Sequence, residues 1–207
     1  QIFETIRLAL TMRLSWASIA VLQVTLESNV DSACGTEAQD NVNDYMPSYY
    51  KAKSEERVLE AGRMLGAREV FALPKDEVHS PELLGELWFA FNTVVNYVDN
   101  TNLKAGGNPD AFIKWVRGLL QSYPGHPLMT LFLYLAYVVK GDAQQATECF
   151  DALLAVLERS RYWSLRFHQY DLERILAHPP QHAAEVEGVL SQLMEGYGIP
   201  ALEVHEV

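Results

Sequence analysis

Residues 127–158 read PLMTLFLYLAYVVKGDAQQATECFDALLAVLE. Pro127 suits the first turn of a helix, where its missing N–H would have found no partner anyway. From there to Lys140 the run is almost wholly apolar. Gly141 is the residue type that ends a helix in the left-handed conformation. A second helix over 142–158 follows after so short a turn that it must run back along the first. Leu133 and Tyr137, four residues apart, share one face of the first helix. Ala146 is small enough to let the helices approach closely, and Phe150 fills the gap between them. This stretch predicts an antiparallel helical hairpin, and with it a mainly α fold.

The same signals extend outward. Asn108-Pro109-Asp110 starts a helix that ends before Tyr123-Pro124-Gly125. Ser80-Pro81-Glu82 starts another, with Leu84, Leu87, Trp88, Phe91, Val94, Val95 and Val98 at steps of three and four. A stripe of that width must be buried, which makes this the central helix. Asn100 to Asn108 is a polar loop. Ser54 caps a helix running to about Gly66, with Val58 and Leu65 on its apolar side. Two further helices are expected at about 162–177 and 182–196, separated by Pro179-Pro180. Near the N-terminus, Phe3, Ile6, Leu10 and Leu14 have helical spacing. Residues 17–26 (ASIAVLQVTL) are β-branched and read equally as a short buried strand or as helix. Residues 27–47, rich in Asn, Asp, Ser and Gly, form the longest loop and the domain boundary. The organisation expected is a terminal βα-like element with its loop over 1–47 and a helical domain over 48–207. The latter is built of antiparallel hairpins, as a bundle or as a repeat array.

The 207 residues carry 27 acidic against 16 basic side chains, a net charge of −11. Phosphate neutralisation needs clustered Lys and Arg. The densest basic run, Lys51, Lys53 and Arg57, is interrupted by Glu55 and Glu56, so no nucleic-acid partner is expected. Near the N-terminus the uncharged run from Leu14 to Leu26 has 13 residues, short of the roughly 20 that a membrane span needs. Cys34 and Cys149 form neither a metal-type pair nor a disulfide framework, which suits a reducing, cytoplasmic setting. The start at Gln1, inside a helix-like stretch, suggests a fragment or a processed product.

The search for chemistry is mostly negative. His178 and His182 have the four-residue spacing of helical metal ligands, but Pro179 and Pro180 between them break any regular helix. His168 and His205 lack companions at ligand spacing, so no metal site is expected. Cys34 has no neighbouring base, and Ala105-Gly106-Gly107-Asn108 lacks the lysine of a phosphate loop. No catalytic residue is nominated. The dense aromatics Tyr162, Trp163, Arg166 and Phe167 read either as a helix packing its aromatic face on the bundle or as a groove for a partner peptide.

Two resemblances remain. Leu133, Tyr137, Gly141, Ala146 and Phe150 resemble a degenerate tetratricopeptide repeat. Thirty-five residues before Ala146 and its neighbours, Ala111, Trp115 and Gly118 stand as candidates for the equivalent second-helix positions, followed by Pro124. The first 50 residues show a helix with Glu4, Thr5, Ile6, Leu8 and Leu10, a strand-like run from Trp16 to Leu22, and a Gly35-Thr36 loop. A segment with Tyr45, Tyr49 and Tyr50 then precedes a helix with Arg57. This order is similar to the closing βα elements of the radical SAM barrel, in proteins that also carry a cobalamin-binding domain. Cys34 stands where that family usually has proline, and the three closely spaced cluster-binding cysteines are absent. The resemblance implies the C-terminal helical region of a radical SAM enzyme, not catalytic by itself. A 4Fe–4S cluster, S-adenosylmethionine and the cobalamin domain would then all belong to the parent protein. Its partners would be the upstream domains of the same polypeptide. The alternative is a non-catalytic, tetratricopeptide-like scaffold that binds a protein partner. A third reading is an exported lipoprotein: Leu14 to Leu26 is uncharged after Arg7 and Arg13, and Cys34 follows Ser32-Ala33.

Overall fold

The computed structural model describes residues 8, 9, 11, 12, 17, 52–62, 64–74 and 81–198. Its helices are α1 (Ala52–Ala61), α2 (Ala67–Phe71), α3 (Pro81–Asn92), α4 (Pro109–Ser122), α5 (Pro127–Lys140), α6 (Ala143–Leu157), α7 (Arg161–Gln169), α8 (Glu173–Ala177) and α9 (Ala183–Gly196). A π-helical segment, Thr93–Val98, continues α3, and a 3-10 turn, Thr101–Leu103, follows it. No strand occurs among the described residues, and the fold is mainly α. The strand-or-helix stretch 17–26 lies outside the described residues except for Ala17, and the loop 27–47 lies wholly outside them.

Four helices begin in the same way. Asn108, His126, Asp142 and Ser160 each accept, through the side chain, the N–H three residues on: those of Ala111, Met129, Gln145 and Trp163. Each cap satisfies one of the amides that a helix start leaves without a partner. Asn108 to Asp142 spans 34 residues, and so does His126 to Ser160. The starts of α4 to α7 therefore repeat with the period of a tetratricopeptide hairpin. That period corrects the equivalences expected from the sequence. Thirty-four residues before Ala146 and Phe150 stand Phe112 and Val116, both buried, while Ala111 and Gly118 are exposed. A phenylalanine in α4 and an alanine in α6 thus stand at the same distance from their helix caps.

The α5–α6 hairpin turns at Gly141, whose φ of 81° is the left-handed conformation expected there. Pro127 to Val138 is buried without interruption, and α4, α6, α9 and the 3-10 turn pack around it. A helix that is apolar all round belongs at the centre. The expected central helix, α3 with its π continuation, is also buried from Leu87 to Val98, so two helices share that role. The π continuation of α3 packs on α9, and α9 packs on α5. The inner face that an open repeat array leaves to a ligand is therefore covered, and the helices from α1 to α9 share one contiguous core.

Local departures have local causes. The helix expected over 162–177 is broken into α7 and α8. Tyr170 and Leu172 are both buried, and residues two apart cannot face the same side of one helix. Asp171 between them takes a φ of 53°, a conformation that aspartate tolerates better than most residues. Ser54 lies inside α1 rather than before it, and α1 ends at Ala61; Ser80 falls outside the described residues. The loop after Asn100 holds the 3-10 turn so closely that a Cβ on Gly107 would stand 2.3 Å from the Thr101 carbonyl oxygen.

Candidate functional site

Tyr162, Trp163, Arg166 and Phe167 project from α7, and all four are buried. The aromatic face is turned into the bundle, so the four side chains offer no open groove to a partner. The Arg166 guanidinium lies 4.5 Å from the centre of the Phe89 ring and 5.2 Å from that of Tyr162. Its Nε donates to the Tyr162 hydroxyl at 2.7 Å, and its terminal nitrogens form a two-point ion pair with Glu86. Glu86 also accepts the Leu65 N–H at 2.9 Å, and Arg166 donates to the Leu65 carbonyl at 3.3 Å. Trp163 Nε1 donates to Glu55 at 3.0 Å, while burial holds that carboxyl above its ordinary value. Burial likewise pushes the Tyr162 phenol up. Arg166 and Glu86 match each other's charge, and with Glu55 and Leu65 the cluster fastens α1 and the start of α2 to α3 and α7.

The other residues considered for chemistry are scattered. His178 ends α8 and His182 precedes α9, both exposed. His168 pairs with Glu173 at 2.9 Å on the surface. The half-buried Cys149 thiol is pushed up to about 11 by burial, so at neutral pH it is no thiolate. Cys34 lies outside the described residues. With Cys34 and Cys149 its only thiols, the chain does not fit an iron–sulfur cluster. Among the described residues no group of three His, Cys, Asp or Glu is placed to hold a metal ion. In the Gly106-Gly107 loop, the Ala105 N–H donates to Glu187 of α9 at 3.3 Å, an internal use for the amide an anion would need.

One cleft, of about 410 Å³, opens between the C-terminal half of α5, the N-terminal half of α6 and the segment joining α8 to α9. Tyr134, Val138, Ala146, Phe150, Pro179 and His182 are among its walls. The Tyr134 and Phe150 rings lie 5.0 Å apart. Tyr134 donates to the Pro180 carbonyl at 2.6 Å, and its hydroxyl is pushed up to about 12, by burial first and then by Glu185. The hydroxyl is a structural tie rather than a proton carrier.

A row of side-chain amides lies on α3 and just past its π continuation. Asn92, Asn96 and Asn100 follow one another at steps of four. Asn92 Nδ2 donates to the Trp88 carbonyl at 3.0 Å, and its Oδ1 accepts from Asn96 Nδ2 at 3.1 Å. Asn100 Nδ2 donates to the Asn96 carbonyl at 2.9 Å, and the Thr93 hydroxyl donates to that of Phe89 at 2.8 Å. Side chains thus take up backbone carbonyls along the stretch where α-helical pairing gives way to π. At the centre, Asn96 Oδ1 accepts the Ala17 N–H at 2.6 Å and Asn96 Nδ2 donates to the Ala17 carbonyl at 2.9 Å. One amide therefore holds both main-chain groups of one residue from the N-terminal stretch.

Sequence reasoning passed over these asparagines because the apolar stripe around them already accounted for the helix. The available signal was an amide at every fourth position, Asn92 and Asn96 within a largely apolar helix and Asn100 just past it.

No family model, characterised protein or solved structure matches this chain. No helix among the described residues is long and apolar enough to cross a membrane.

Proposed function

We propose that this chain is a non-catalytic helical module that binds extended polypeptide and couples its helical domain to the segment preceding it. The observation that carries this reading is the paired hydrogen bonding of Asn96 to the N–H and carbonyl of Ala17. The 34-residue register of the caps adds support, because hairpins of that period commonly serve as interaction scaffolds. The closed, self-satisfied ion cluster around Arg166 fits a structural element better than an acid–base centre.

The resemblance of residues 1–50 to the closing elements of a radical SAM barrel extends the proposal. In that setting the upstream barrel supplies the cluster, S-adenosylmethionine and the cobalamin domain in a cytoplasmic enzyme, and this module covers the barrel's last edge. A reading frame upstream of Gln1 that lacks a three-cysteine cluster removes that extension and leaves the scaffold reading standing.

Hydrogen exchange on the full chain tests the core of the proposal. Asn96→Ala removes two main-chain hydrogen bonds at Ala17, so its amide is expected to exchange faster by about tenfold or more. The amides of α5 should stay protected. Unchanged exchange at Ala17 overturns the reading.

A further inference from the structure

We propose that the cleft between α5, α6 and the segment joining α8 to α9 receives an arginine side chain from a partner polypeptide. The site shares no residue with the Asn96 contact and goes beyond the module reading. The wall formed by the α8–α9 segment is fixed from several directions. The Tyr134 hydroxyl donates to the Pro180 carbonyl at 2.6 Å, and the Gln181 side chain donates to the Pro179 carbonyl at 3.0 Å. The Gln181 N–H donates to a Glu185 carboxylate oxygen at 2.7 Å. A cleft of about 410 Å³ with walls so held has the size and rigidity of a preformed ligand pocket.

Two observations select the occupant. The first is charge. No Lys or Arg occurs from Gly141 to Glu158, and none follows Arg174. The walls given by α6 and by the α8–α9 segment therefore carry carboxylates without cations. Glu185 is held at the rim by Gln181, and Asp151 lies one helical turn beyond the wall residue Thr147 on the same face of α6. Both carboxylates are exposed, and neither has an ion-pair partner among the described residues. On the α5 side Lys140 is engaged by Asp110 of α4 at 2.7 Å. The second observation is the wall itself. Phe150 lines the cleft half-buried, its ring 5.0 Å from that of Tyr134, and Val138, Ala146 and Pro179 add apolar surface. An arginine matches both features. Its planar guanidinium stacks on an aromatic face, its stem lies on apolar surface, and its N–H groups reach carboxylates. A compact ammonium is more strongly hydrated and has no plane to stack. A free small cation would leave the apolar walls unused, so the source is a polypeptide with apolar residues beside the arginine.

The test titrates the peptide acetyl-Leu-Arg-Leu-amide into the isotope-labelled full chain and follows amide shifts by NMR. Shifts should concentrate at Thr147, Phe150 and Gln181. The citrulline counterpart, uncharged and nearly isosteric, should bind about tenfold or more weakly, and added salt should weaken the arginine peptide. Methylguanidinium, which lacks the flanking leucines, should also bind about tenfold or more weakly. Glu185→Gln keeps an acceptor for the Gln181 N–H and removes only the charge, so affinity should fall about two- to fivefold. Thr147→Trp sets a ring across the cleft from an exposed position and should abolish binding with the native amide spectrum otherwise retained. Absence of saturable binding, shifts centred on other residues, or equal affinity for the citrulline peptide or for methylguanidinium overturns the inference. So does a Glu185→Gln chain that binds the arginine peptide as tightly as the native one. None of these outcomes bears on exchange at Ala17, so this site and the module reading stand or fall separately.

Discussion

Arg166 and Glu86 form the most consequential residue pair in the bundle, since both are buried and each is the other's charge partner. Arg166→Met leaves the Glu86 carboxylate buried without its cation and should cost about 3–5 kcal/mol in urea unfolding. The double variant Glu86→Leu/Arg166→Met removes both charges and should cost less than the single one, despite the lost bonds to Leu65. A double variant worse than the single would show that the charges do not interact. Glu55 provides a pH signature. Burial raises its folded-state value above the ordinary 4.5, so the folded chain binds more protons in the window just above that value. Its stabilising contribution is complete below about 4.5 and is lost as pH rises through the window. Glu55→Gln keeps an acceptor for Trp163 and has no charge to bury. Its melting temperature relative to the native chain should therefore climb from pH 4 to pH 7; a flat difference would contradict the burial of that carboxyl.

At the scale of the element, the α5–α6 hairpin makes the sharpest claims. Ala146 is buried against α5, so Ala146→Leu should destabilise by about 1–3 kcal/mol through overpacking. Phe150 is only partly buried, because one side of its ring faces the cleft. Phe150→Ala should accordingly fall below the roughly 3–5 kcal/mol of a fully buried phenylalanine. Glu148 is exposed and bonded only to Gln144 and Gln145 of its own helix, and its replacement by alanine should stay within about 0.5 kcal/mol. A neutral Ala146→Leu beside a costly Glu148→Ala would mean that α6 is rotated from this assignment. Tyr134→Phe removes the tie from α5 to Pro180 and leaves that carbonyl buried. Chemical denaturation should register about 1–3 kcal/mol, and exchange should rise at the amides of Gln181 and His182. These elements were largely legible in the sequence. Asn108, Pro109, Pro127, Gly141 and Pro179 act on the turns they occupy, and no distant residue is needed to read them. The split of α7 from α8 was not legible, because it follows from where Tyr170 and Leu172 must point.

For the molecule as a whole, the covering of α5 by α4, α6 and α9 is the decisive arrangement. It makes the hairpins one closed bundle with no open inner face at α5. Leu131 to Ala136 should therefore exchange only through global unfolding, at rates that match the free energy from urea titration. Faster exchange there than in α9 would mean that the covering helix is not holding the core.

The sequence by itself determined α4, α5, α6 and α9 with their starts and stops, and the hairpin at Gly141, because capping, proline geometry and apolar periodicity operate over a few residues. It also determined the shortage of metal-binding thiols and the acidic balance, which are matters of composition. Only the tertiary structure decided that Asn96 meets Ala17 across 79 residues, that Arg166 meets Glu86 across 80, and that Tyr134 meets Pro180 across 46. It likewise turned the aromatic face of α7 inward. Such pairings depend on how preformed helices fill a shared interior, and a local pattern carries no record of which distant partner completes a buried polar group.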